Sequence, residues 1–136
     1  MTNARPLIAI VDDEEPIRKA LTRLLRSFGL DVESFPSGAE FLDSLLTRQP
    51  DCLVLDLEMP RVSGFEVQAW LDKSEMHVPV VIITAQDSAE TRARAMKGKP
   101  VAFLLKPVND QVLIDAIELA LGHSTGVTDK NIGLNN

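Results

Sequence analysis

A single cysteine, Cys52, stands in this chain, so no intramolecular disulfide framework is open to it. The simplest compartment for such a chain is the cytoplasm, and that is the expected localisation. Cys52 lies inside an apolar run, where the expected role is a small buried side chain rather than a nucleophile. Long apolar runs are missing too. Nothing approaches the length needed to cross a bilayer, and Met1 to Pro6 has no signal-peptide core, so no membrane partner is expected. There is no excess of positive charge. The formal net charge is −6 at pH 7, which argues against direct nucleic-acid binding by this chain. Internal repeats and low-complexity blocks are absent. At 136 residues and 45% apolar content, the chain suits one domain with its own core.

What is present is strict alternation. Compact apolar or β-branched runs at Leu7 to Val11, Asp31 to Phe35, Cys52 to Asp56, Val80 to Thr84 and Val101 to Leu105 read as strands. The run at Asp31 alternates apolar and polar, so it belongs nearer an edge. Between the strands lie helical patterns. Pro16 suits a first helical turn, and Ile17, Ala20, Leu21, Leu24, Leu25 and Phe28 then share one face until Gly29. Ser37 and Glu40 stand in capping-box register for a helix carrying Phe41, Leu42, Leu45 and Leu46. Gly64 leads into Phe65, Val67, Ala69, Trp70 and Leu71. Asp87 and Glu90 are placed to cap a helix reaching about Lys97, whose thin apolar face of alanines and Met96 marks it as weakly anchored. Asn109 caps a last helix, with Val112, Leu113, Ala116 and Ile117 on its buried face. Five strands and five helices in alternation predict a parallel sheet covered on both faces. The domain is expected over residues 1–122, followed by a polar tail over 123–136, with no room for a second domain or a helix-turn-helix after Leu121.

Four features sit at the carboxyl ends of four of these strands: Asp12-Asp13, Asp56, Thr84 and Lys106. In open α/β sheets, ligands bind at that edge. Each feature alone has an ordinary explanation. An acidic pair after a strand is usually a solvated turn, a threonine there usually caps backbone, and a lysine before proline is usually surface. Their joint placement points further. Three carboxylates crowded on one edge repel one another unless a cation arrives. Magnesium is the natural choice, because it takes oxygen ligands and binds through few carboxylates while keeping waters. Asp56 is then the candidate nucleophile toward phosphorus, forming an acyl phosphate. Lys106 is the second cation, facing the phosphoryl oxygens, and Thr84 offers them its hydroxyl.

The residues Val11-Asp12-Asp13, Leu55-Asp56-Leu57-Glu58-Met59-Pro60 with Ser63-Gly64, Ile83-Thr84-Ala85 and Phe103-Leu104-Leu105-Lys106-Pro107 resemble the receiver domain of bacterial two-component response regulators. The resemblance runs from about Leu7 to Leu121. It implies a single flavodoxin-like (βα)5 domain with strand order 2-1-3-4-5. It implies that Asp56 takes a phosphoryl group from the phosphohistidine of a sensor histidine kinase. Asp13 would bind magnesium directly, Asp12 chiefly through water, and the Glu58 carbonyl would be a further ligand. Lys106-Pro107 would carry a cis peptide. Thr84 and Phe103 would carry the switch that changes an output face for a downstream protein partner or output domain, with a phosphorylation-dependent homodimer as one form of that output. The activity implied is self-phosphorylation and self-dephosphorylation with magnesium, not classical enzymology. Plain core packing is the other reading of Phe103.

Glu58, two residues after Asp56, is long enough to reach the metal or Lys106, and so to tune metal affinity and phosphoryl lifetime; an exposed loop glutamate is the simpler reading. Gln86, two after Thr84, is a second tuning candidate. Lys97-Gly98-Lys99-Pro100 departs from the small-residue approach the family often shows before its last strand, which bears on how the preceding helix ends. Arg92, Arg94, Lys97 and Lys99 form a basic cluster, read either as a solvated helix face or as a surface for an acidic partner. His77 and His123 have no metal-spaced companions.

The leading expectation is a stand-alone receiver acting through protein partners. The alternative is a receiver module detached from a DNA-binding transcriptional regulator, since the first helix and the Met59-Pro60 region are similar to receivers of that kind. A phosphatase of the haloacid-dehalogenase type usually needs Asp where Glu58 stands, a following threonine and a cap domain. A flavin-binding relative of the fold needs a phosphate loop where Asp12-Asp13 would repel a flavin phosphate.

Overall fold

The computed structural model describes residues 5–122. The tail expected at residues 123–136, His123 included, lies outside the described residues. Five strands alternate with five helices: β1 Leu7–Val11, α1 Glu15–Ser27, β2 Asp31–Phe35, α2 Gly38–Ser44, β3 Cys52–Asp56, α3 Gly64–Lys73, β4 Val80–Thr84, α4 Ala89–Met96, β5 Ala102–Leu105 and α5 Asp110–Ala120. The strands form one parallel sheet in the order β2-β1-β3-β4-β5. β1, β3 and β4 are buried at every position, which is why their sequences run apolar without alternation. β2 lies at one edge, and only Val32 of its five residues is buried. No helix among the described residues is long and apolar enough to cross a membrane.

Side chains sort to two faces. Leu25 of α1 and Leu113 and Ile117 of α5 join Ile8, Ile10 and Val54 on one side of the sheet. Phe41 of α2, Val67 and Leu71 of α3 and Ala95 of α4 join Val11, Leu55 and Ile82 on the other. Because side chains alternate along a strand, the register decides which residue meets which. Val11 lies beside Leu55, Asp56 beside Ile83 and Thr84 beside Leu105. The residues ending β1, β3 and β4, and the lysine just after β5, therefore come level at one edge.

Local chemistry starts the helices there. Ser63 and Glu66 close a reciprocal capping box at α3, with bonds of 3.3 and 2.8 Å. Asn109 accepts the Val112 N–H at α5. Ser37 accepts the Glu40 N–H at α2. Gly64 is held where a Cβ would run into the Asp56 carbonyl and lie 2.8 Å from the Leu57 Cα, so α3 begins hard against the end of β3.

The structure corrects several assignments of face and cap. Ser88, not Asp87, caps α4, accepting the Thr91 N–H at 3.0 Å. On α3, Gly64, Val67, Gln68 and Leu71 are buried, whereas Trp70 is 40% exposed. Leu46 falls beyond the end of α2 and is 86% exposed. Val112 points outward from α5, and β5 begins at Ala102 rather than Val101.

α4 has a single buried residue, Ala95. Three other contacts hold it. The Arg92 guanidinium lies 4.5 Å from the Phe103 ring centre and that of Arg94 lies 4.0 Å from the Phe65 ring centre. The Gln68 side-chain amide donates to the Ala95 carbonyl at 3.0 Å. The basic cluster read from sequence is thus divided, with Arg92 leaning on β5 and Arg94 on α3. After α4, Lys99 adopts a left-handed φ of 55°, an uncommon conformation for a side chain with a Cβ.

Candidate functional site

Asp12 follows β1 and is fully buried, while Asp13 beside it is exposed. The Asp12 side chain accepts the Glu14 N–H at 2.9 Å, a short-range turn bond that orients the carboxylate before α1 begins. Arg18, one turn into α1, donates to the Asp12 carbonyl at 2.7 Å. Asp56 ends β3 and is 1% exposed. Carboxylate oxygens of Asp12, Asp13 and Asp56 lie within 4.8 Å of one another. Lys106 is brought in by β5, and its Nζ stands 2.9 Å from Asp12 Oδ2 and 3.4 Å from Asp56 Oδ1. The Lys106-Pro107 peptide is cis.

The electrostatics follow from burial and crowding. Burial first, then the Asp12 charge and that of Glu58, push the Asp56 carboxyl from 3.8 up to about 7, against the opposing pull of Lys106. Burial alone would lower Lys106, but its close ion pair with Asp12 and the charges of Asp56, Asp12 and Glu14 prevail and raise it. Neither Asp12 Oδ2 nor Asp56 Oδ1 accepts a well-formed hydrogen bond, although both are buried. The Lys106 ammonium is their charge partner. Buried oxygens of this kind are costly, and a hard cation is the ligand that would satisfy them. The oxygen-only donor set suits a metal ion of the magnesium type.

Thr84 closes the other flank. It is fully buried at the end of β4. Its hydroxyl donates to Glu58 Oε2 at 2.6 Å and accepts the Gln86 N–H at 3.0 Å. Glu58 Oε1 also accepts the Ala85 N–H, at 3.4 Å. The Glu58 carboxylate therefore goes to Thr84 and its loop, whereas the ion pairs of Lys106 go to Asp12 and Asp56. Gln86 enters the cluster through its backbone, with its side chain exposed. Phe103 is half-buried against the α2–α4 side of the core, beneath Arg92. Cys52 sits at the far end of β3, fully buried, with burial and the Asp51 charge pushing its thiol up to about 12, so it is inert at neutral pH.

Sequence reasoning passed over Glu14 and Arg18. The signal for Glu14 was there: an aspartate two residues upstream of a backbone N–H near a helix start is a common turn. Arg18 carried none, because its partner is a backbone carbonyl.

Residues 8–118 match the family model described as the response regulator receiver domain. Nodulation protein W of Bradyrhizobium diazoefficiens is 39% identical over 118 residues, which cover 87% of this chain and 52% of that protein. The transcriptional regulatory protein TdiR of Thauera aromatica is 37% identical over 123 residues, 90% of this chain and 54% of that one. The chain thus spans about half the length of the curated relatives it matches. A crystal structure of FixJ-N superposes with a TM-score of 0.81 at 37% identity, covering 88% of this chain and 96% of that one.

Proposed function

Because the chain belongs to the response-regulator receiver-domain family, we propose that Asp56 accepts a phosphoryl group from a sensor histidine kinase and thereby switches a face that a partner reads. Receiver domains are signalling modules rather than classical enzymes. The observation that carries the reading is the Lys106 ammonium set between two buried carboxylates, with Asp13 beside them. Asp12, Asp13 and Asp56, with the Glu58 carbonyl, would hold magnesium. When bound, the ion neutralises the carboxylates and the negative charge of the phosphoryl group.

The residues then divide the work. A carboxylate oxygen of Asp56 forms the new P–O bond as the donor's P–N bond breaks, and the electron pair leaves with the imidazole nitrogen. Lys106 turns its charge toward the phosphoryl oxygens. Thr84 donates its hydroxyl to one of them, and Phe103 responds to the altered β4–α4 loop. Gln86 and Glu58 are the positions from which phosphoryl lifetime is tuned. The output is a population shift that presents α4, β5 and α5 differently, to a downstream protein or to a second copy of the chain. The setting is cytoplasmic.

A second reading concerns context. The matched relatives are about twice as long and include proteins described as transcriptional regulators. That favours a receiver module joined to a DNA-binding output domain over a stand-alone receiver.

Intact mass after incubation with acetyl phosphate tests the acceptor. A single phosphoryl adduct is expected with magnesium, and none without it or in Asp56→Asn. Folded wild-type protein that takes no adduct from acetyl phosphate or from a kinase would overturn the assignment.

A further inference from the structure

We infer that Glu58 is a positioning residue that keeps the Thr84 hydroxyl engaged in the resting protein, so that a phosphoryl group on Asp56 has to displace its carboxylate. The inference rests on the acceptor reading and assigns Glu58 a different target from the metal or Lys106. A threonine hydroxyl carries one proton to donate. Here that proton goes to Glu58 Oε2 across 2.6 Å, a short, charge-assisted bond. The lone pairs of the same oxygen receive the Gln86 N–H. While both bonds stand, Thr84 has no proton for a phosphoryl oxygen. Glu58 Oε1 holds the Ala85 N–H as well, so one carboxylate pins both the side chain and the backbone at the end of β4.

The exchange is balanced enough to reverse. Thr84 is fully buried, but Glu58 is exposed, so a released carboxylate is taken up by water at little cost. An incoming phosphoryl group brings negative charge within two residues of Glu58 and repels it. It also offers the hydroxyl a charged acceptor of the same kind. The bond broken and the bond made are thus similar, which is the condition for a two-state element biased by a ligand. The latch joins the loop after β3 to the loop leading into α4. Since α4 has only Ala95 buried, release at Ala85 reaches a helix with little apolar packing to resist it.

A double-mutant cycle tests this, with beryllium fluoride and magnesium as a non-covalent phosphoryl mimic, read by titration calorimetry. Glu58→Ala is expected to bind the mimic about tenfold more tightly, the size of one hydrogen bond to a charged group. In a Thr84→Ala background, where only the repulsion between Glu58 and the mimic is left to relieve, the same change is expected to tighten binding by clearly less. Glu58→Gln keeps an acceptor oxygen without the charge and is expected to fall between. Equal tightening with and without the threonine hydroxyl would mean that Glu58 acts by charge alone, and would overturn the latch. Unchanged affinity in Glu58→Ala would overturn it too. If Thr84→Ala loses its cooperative melt, Thr84→Val removes the hydroxyl with the shape retained. Wild-type protein that takes no mimic at all would instead overturn the acceptor reading on which the latch rests.

Discussion

Asp56 is buried beside Asp12, and its carboxyl is pushed up to about 7 by burial, the Asp12 charge and Glu58. A raised carboxyl means that the folded state binds its proton more tightly than the unfolded chain does. Stability is then lost as pH rises from about 4 to about 7, and the cost is fully present above that window. Asp56→Asn is expected to be more stable than wild type at pH 8 without magnesium, by on the order of a few kcal/mol, with a higher melting temperature, and to show no gain at pH 4. Thermal melts at the two pH values check this. The same shift bears on chemistry, because only the carboxylate attacks phosphorus. At low magnesium, the rate of adduct formation is expected to fall as pH drops below about 7. Lys106 works in the opposite sense. Its raised pKa keeps its stabilising charge throughout the neutral range, to be lost only in strong alkali.

At the scale of elements, α4 is held differently from α3 and α5. Its neighbours bury apolar faces, whereas α4 relies on two arginines laid over aromatic rings and on one amide capping its end. Gln68→Ala removes the donor to the Ala95 carbonyl. It is expected to lower hydrogen-exchange protection across Ala89–Met96 by about 1 kcal/mol, with β1 and β3 unaffected. Arg94→Ala, read the same way, is expected to act in the same direction. These anchors were illegible in the sequence. An Arg or Gln on a helix has no periodicity that betrays a partner, and Phe65 and Phe103 are distant in the chain. The buried face of α3 was open for a related reason. A short helix with apolar residues on several sides offers two plausible faces, and the choice fell to Gly64, Val67, Gln68 and Leu71 because Gln68 had a carbonyl to meet. The strands were more legible. β1 to β4 run between the very residues that the sequence suggests, since an apolar run between polar turns has few alternative ends.

For the whole molecule, the sheet turns four separate sequence motifs into one pocket. The pocket was legible because parallel strands joined by helices all end at the same edge, so any residue just past a strand is a neighbour of the others. The bonds within it were less so, as Glu58 illustrates: its length was evident, its target was not. Ligand linkage gives a global test. Magnesium requires ionised carboxylates, so it is expected to raise the melting temperature more at pH 8 than at pH 5, and less in Asp56→Asn at either pH.

The same alternation sorts the loops into two populations. Those after β1, β3 and β5 carry Asp12, Glu58 and Lys106, and the loop after β4 starts from Thr84. Those before β2, β3, β4 and β5 open on the opposite edge, away from the acid cluster, and Lys97-Gly98-Lys99-Pro100 lies there, between α4 and β5. Changes on one rim therefore leave the reacting groups of the other untouched. A protein engineer thus has four loops to diversify before any reacting group is disturbed.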